Sequence, residues 1–350
     1  MRYSDNMKMI AGLLFILLIP VILHSQDYSE GKASPLFQSH EIVHLSIKAD
    51  LKTLLSDIDD EREQHPAILE YVENEDTIRL DVQLRTRGNF RRKPDQCSFP
   101  PLRLNLKKKQ VEGTIFEGID KIKIVTHCRP NQKRYQQYLI REYLVYRAFN
   151  LVTDTSLRVR LASITYLDTS NNNEKEESFA ILIEPDEAFE KRFNARRSDQ
   201  KYLFPDSTSY VHMGKLAFFQ YMIGNTDYAV TTQHNIMLFT LNSDQPPYSI
   251  PYDFDWCGAV NTHYAVPLPR FGTQNVTERI YRGQCRSMEE FMQIAAFFNS
   301  KKEDIFNLYN DYPLLSKREK RELLHYFKGF YDVINDERQI KVELLENCLK

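Results

Sequence analysis

The chain has 350 residues, 46 of them Lys or Arg and 48 Asp or Glu, for a formal net charge of −2. So balanced a chain has no global field to draw it to nucleic acid or anionic lipid, and no nucleic-acid partner is expected. Five cysteines without a CxxC pair or a Cys/His cluster of zinc spacing argue against structural zinc, and their odd number leaves one thiol over if the others pair.

Arg2 and Lys8 precede an apolar run from Met9 to Leu23 that contains Pro20. The run is shorter than the ~20 apolar residues of a spanning helix. A charged start, a short apolar core and a polar exit read as a secretory signal peptide over residues 1–25, with cleavage after Ser25. An uncleaved membrane anchor is the alternative. The expectation is a periplasmic or secreted protein with no membrane span after cleavage. Export permits disulfides, and Cys97 with Cys128, at the ends of adjacent expected strands, is the preferred pair.

Residues 26–185 read as a β-rich N-terminal lobe. "TIRLDVQLRTRG", "LRLNLK", "KIKIVTH" and "VRLASITYL" each alternate with period two, as strands do. One helix interrupts them, "QKRYQQYLIREYLVYRAFNLV". Its apolar stripe runs through Tyr135, Tyr138, Tyr146 and Phe149, and Glu142 falls on that stripe. The plain explanation of such a carboxylate is a snorkelling or salt-bridged glutamate.

Residues 186–350 read as a mainly helical C-terminal lobe that also carries a hairpin. "HMGKLAFFQYMIG" is apolar nearly all round and suggests a central buried helix. "HNIMLFTL" and "YSIPYDF" then read as two short strands joined by a turn. Ser287 with Glu290, Ser300 with Glu303, and Ser316 with Glu319 have capping-box spacing. The fold class expected from these elements is α+β.

The hairpin gathers the chemistry. A hairpin returns its second strand to the start of its first, so Asn235 and Asp253 should lie close, with Asp227 facing the same cleft. Oxygen ligands beside a carboxylate base suit magnesium and a nucleotide. HExxH, GxSxG and GxxxxGK[ST] are all missing, so zinc protease, α/β-hydrolase and P-loop readings lack support. Three carboxylates could also serve a two-metal hydrolase, with His234 and His263 as further ligands. A turn with solvated aspartates is the bland alternative.

"IGNTD", then "HNI", then "IPYDFDW" resembles the catalytic stretch of the CotH family of atypical, spore-coat-type protein kinases, and more distantly HipA-like kinases. "RTRGNFRRK", "PPLRLNLKK", "KIKIVTH" and "LIREYLVYRAF" follow that family's order, over most of residues 80 to 260. The chain also resembles a group of exported proteins common in Bacteroidetes. The resemblance implies a bilobal kinase-like fold that uses Mg2+ and ATP. It implies Asp227 as catalytic base and Asn235 and Asp253 as magnesium ligands, with Asp255 assisting. Glu142 would orient a phosphate-binding cation, for which Arg87, Arg103 and Lys123 are candidates. The chain departs from the family in the seven residues between Asp227 and Asn235, in Tyr228 and Ala229 where a basic residue is expected, and in having no GxGxxG loop. The preferred reading is phosphoryl transfer from a nucleotide to a protein or glycan hydroxyl. Two alternatives stay open: a catalytically inactive kinase-like binding or structural protein of the cell envelope, which scarce extracellular ATP favours, and a metal-dependent hydrolase.

Overall fold

The computed structural model describes residues 31–241 and 245–349, and the signal-peptide expectation for residues 1–25 lies outside them. β1 (Val43–Ala49) runs into α1 (Leu51–Ser56), whose N-cap Asp50 accepts a hydrogen bond from the Thr53 N–H. β2 (His65–Glu73) and β3 (Asp76–Thr86) form a hairpin. Its two turn residues, Asn74 and Glu75, both have positive φ (50° and 71°), which matches the right-handed twist of the flanking strands. β4 (Leu102–Asn105), α2 (Lys108–Val111) and β5 (Lys121–Val125) follow. Then come α3 (Lys133–Val152), β6 (Val159–Asp168) and β7 (Glu174–Ile183).

These strands close into a barrel of order β1-β2-β3-β4-β5-β7-β6. The closing pair is parallel, with β6 lying along β1 from Val43↔Ala162 to Ala49↔Asp168. The alternating pattern explains what fills it: Leu80, Val82 and Leu84 of β3, Leu102 and Leu104 of β4, and Ile122 and Ile124 of β5 are buried in one cluster.

After the barrel come α4 (Asp186–Phe193), β8 (Arg196–Ser198) and α5 (Tyr210–Ile223). β9 (Ile236–Thr240) and β10 (Tyr248–Pro251) pair antiparallel, and β8 adds to β9 as a third strand. α6 (Met288–Ser300), α7 (Lys302–Asn310) and α8 (Lys317–Ile334) complete the chain with a π-helical stretch, Ile340–Leu345. Full capping boxes form at Ser287/Glu290 and Ser316/Glu319. None forms at Ser300/Glu303, because α6 runs through Ser300 and α7 starts from Lys301 without a side-chain cap.

The expected bilobal kinase-like fold with a helical C-terminal lobe is not what this chain forms. The β-rich half is a closed seven-stranded barrel, and the architecture is mixed α/β. The second core does not divide the chain either. It takes α3, Val159 and Leu161 of β6, and Ile181 and Ile183 of β7, together with α5, β9, β10 and the C-terminal helices. At one end of β6 and β7 the outward-facing residues Val159, Leu161, Ile181 and Ile183 are thus apolar as well, and there the two strands pack on α3. Two disulfides, Cys97–Cys128 and Cys285–Cys348, tie the chain; Cys257 is free and buried.

Candidate functional site in the cleft beside the hairpin

α5 is buried nearly all round and ends at Gly224 with φ +64°. A Cβ at Gly224 would stand 2.1 Å from the Tyr326 hydroxyl, so glycine is required twice over, by conformation and by space. The chain then turns sharply. Asn225 Oδ1 accepts from the Asp227 N–H at 2.9 Å, and Ala229 and His234 exchange two backbone hydrogen bonds of 2.9 Å. The tight return brings His234 Nε2 to 2.8 Å from Asp227 Oδ1. It also brings Asn235 Nδ2 to 2.8 Å from the Asp227 carbonyl and 3.0 Å from Asp227 Oδ2. With its amide nitrogen spent on Asp227, Asn235 presents its amide oxygen elsewhere.

Ile236 pairs with Pro251 across the hairpin, and the Tyr252 N–H donates to the Asn235 carbonyl at 3.1 Å. Asp253 therefore leaves β10 beside the point where Asn235 enters β9. Its N–H donates to the Tyr146 hydroxyl at 2.8 Å. Gln233, Asn235 and Asp253 all have positive φ (52°, 52° and 62°). Left-handed non-glycine residues cost energy, and they concentrate where a site demands an exact backbone.

These residues form one wall of a cleft of about 470 Å³, and the loop Arg87–Arg91 after β3 forms another. Two openings of about 530 and 510 Å³ lie elsewhere on the barrel and hold none of the sequence-selected residues. Arg91 sits among three carboxylates: Nη2 is 3.1 Å from Asp253 Oδ1, Nε 3.6 Å from Asp255 Oδ2, and Nη1 4.0 Å from Glu142 Oε2. Burial alone would pull its guanidinium down, but Asp255 and Glu142, aided by Asp253, hold it well above the ordinary arginine value. Burial pushes Glu142 up to about 8, with Asp255 and Asp253 adding to the rise and Arg91 opposing it. Asp255 rises to about 6, again chiefly by burial. Its Oδ2 also accepts from the Tyr264 hydroxyl at 3.0 Å.

Arg87 is the contrast. It lines the cleft, yet among the described residues no carboxylate is in ion-pair or hydrogen-bond contact with its side chain. Burial draws its guanidinium below the ordinary value, against the pull of Asp253.

Of the residues selected from sequence, Arg87, Asp227, Asn235, Asp253 and Asp255 line this one cleft. Glu142 lies behind it, buried against Arg91. Lys123 and Arg103 do not line it: Lys123 is spent on Asp186 at 2.9 Å, and Arg103 stands opposite Lys123 in the β4–β5 ladder. Asp255, closed in by Arg91 and Tyr264, is a poor open ligand. Sequence reasoning passed over Arg91, the hub of the carboxylates, and His234 as a partner of Asp227. The basic run "RTRGNFRRK" was the available signal for Arg91.

Compared with known proteins, the chain matches no protein-family model and no curated protein. Among the described residues no helix is long and apolar enough to cross a membrane.

Proposed function

We propose that the cleft binds the phosphates of a magnesium–nucleotide complex and serves phosphoryl transfer to a hydroxyl. The observation that carries this reading is Arg87, a desolvated guanidinium in a polar cleft with no carboxylate of the described residues in direct contact. Such a group is stabilised by an anion, and a guanidinium fork matches phosphate oxygens. The donor set also fits the metal. Asn235 has its amide oxygen unspent, and Asp253 bonds Arg91 through one carboxylate oxygen only, so its second is available. Those two residues would hold a magnesium ion, which neutralises phosphate charge when bound. Among the described residues no group of three or more His, Cys, Asp or Glu is arranged to hold a metal alone. A cation carried in by phosphates needs no such cage, whereas a two-metal hydrolase would.

In this reading Arg87 orients the phosphates, and Asp227, with His234, faces the acceptor hydroxyl. Glu142 and Arg91 keep Asp253 in place. The two disulfides support an oxidising compartment outside the cytoplasm. A second reading, binding without transfer, is favoured by one observation: both Asp227 carboxylate oxygens are already hydrogen-bonded, to His234 and Asn235.

The test is a thermal shift with Mg-ATP. A ligand at 100 times its Kd stabilises by about 2.7 kcal/mol. The wild type should shift, Arg87→Gln and Asp253→Ala should not, and Asp227→Ala should bind but not transfer. No shift in the wild type with any nucleotide or divalent metal refutes the reading.

A further inference from the structure

The loop that carries Asp227 and His234 has a second face. Its residues Tyr228 to Thr231 form a wall of a separate cavity of about 290 Å³, whose other side holds Phe204, Asp206, Gln284 and Leu349. Two features of this cavity are unexplained by folding. Phe204 and Leu349 are exposed apolar side chains, at 63% and 46%, and Tyr202, exposed at 77%, is tied by its N–H to the carbonyl of Thr231, a lining residue, at 2.8 Å. Folding stabilises buried apolar surface, so apolar side chains left in water at the rim of a cavity are available to a ligand. Tyr202 also has φ +63°, a costly conformation for a bulky residue. The second feature is Gln284: its Oε1 is shielded from solvent and has no hydrogen-bond partner. A shielded acceptor left unpaired costs ~1–3 kcal/mol, and a ligand donor would relieve it.

We propose that this cavity is a subsite for one ring of a carbohydrate acceptor, so that the hydroxyl phosphorylated in the main cleft belongs to a glycan. The inference rests on the phosphoryl-transfer reading for its purpose, though not for the binding itself. A sugar ring has an aliphatic C–H face to lie on Phe204 and a rim of hydroxyls to donate to Gln284 and Asp206. The cavity is about ten water volumes, room for one ring. An apolar peptide side chain would leave Gln284 Oε1 unpaired. An anion would meet Asp206, and the nearest cation is already engaged, with Arg282 Nη1 donating to the Thr226 and Tyr228 carbonyls. Because the cavity shares no lining residue with the cleft that holds Asp227 and Asn235, the ring it holds is not the one modified. It anchors an oligosaccharide whose neighbouring units pass the loop to reach Asp227.

The experiment presents the full-length protein to a printed array of neutral and amino-sugar glycans, with a peptide library as the competing arm. Wild type should retain a subset of glycans. Phe204→Ala and Gln284→Ala should each lower that retention at least tenfold, with the Mg-ATP thermal shift unchanged. Phe204→Ala removes an exposed ring and so leaves the core intact. Retention of no glycan, or equal retention by both variants, overturns the proposal; peptides retained by wild type and lost in Phe204→Ala overturn the assignment to sugar. Glycans retained by a protein that binds no Mg-ATP would uphold the subsite and defeat the phosphoryl-transfer reading instead.

Discussion

Glu142→Gln should make the protein progressively more stable than wild type as pH rises above about 4.5 and change little below that. Glu142 is 2% exposed, its Oε1 has no hydrogen-bond partner, and its Oε2 reaches Arg91 only at 4.0 Å. Arg91 is already compensated by Asp253 at 3.1 Å and Asp255 at 3.6 Å, so a third negative charge is surplus. Burial, first of all, therefore lifts Glu142 from 4.5 to about 8. Below its unfolded value both states hold the proton. Between there and about 8 only the folded state does, so the contribution to stability is lost as pH rises through that window. At ~1.4 kcal/mol per unit, the full displacement corresponds to roughly 5 kcal/mol. Glutamine keeps the shape and has no proton to lose. Calorimetric melting of both proteins from pH 5 to 9 should give curves that diverge as pH rises, the variant melting higher at pH 9 by roughly 5–10 °C at ~2 °C per kcal/mol for a chain of this size. If Glu142 is instead an ionised partner of Arg91, the variant is destabilised throughout and most at high pH. That outcome, or parallel curves, refutes the reasoning.

Gly224→Ala should cost about 2–3 kcal/mol: ~1–2 for a left-handed alanine and about 1 for the Tyr326–Thr277 hydrogen bond that its Cβ would displace; urea unfolding at unchanged m-value measures it. Cys285→Ser with Cys348→Ser opens a link between residues 63 apart in sequence and should cost about 4 kcal/mol in the chain-entropy model, again by urea titration. Thiol counting should find one reactive group in the denatured, non-reduced protein and none in the native one, because Cys257 is buried and its thiol is pushed up to about 12 by that burial.

How far this was legible in the sequence depends on the range of the interactions involved. Leu80, Val82 and Leu84 alternate with polar neighbours, so β3 could be read from the chain alone. Closure could not. It depends on β6 pairing with β1 more than a hundred residues away, and no local pattern separates a strand at a sheet edge from one that shuts a barrel. The apolar residues on the outer faces of β6 and β7 were a sign that helices would cover them. The three-residue β8, with its exposed Arg196 and Arg197, has no apolar rhythm and was invisible.

The same distinction of range governs the cleft. Asn235 and Asp253 meet because a hairpin is a local device, and Glu142 could be placed inward because a helix has a fixed period. Choosing among the cations was another matter. Lys123 sits on a regular strand and looked well positioned, yet a strand side chain faces wherever the sheet turns it, here to Asp186. Arg87 and Arg91 lie on an irregular loop with no period to reveal their direction, and the fold uses them oppositely. Arg91 is buried in an excess of carboxylates, and Arg87 has none of the described residues' carboxylates in direct contact. Had the sequence placed a carboxylate beside each, the cleft would be a closed internal salt-bridge network with no net reason to bind anything. On the proposed reading, a guanidinium with no carboxylate in direct contact, next to Asn235 and Asp253, suits an anion that brings its own cation. That imbalance, more than any single motif, separates this cleft from an ordinary polar turn.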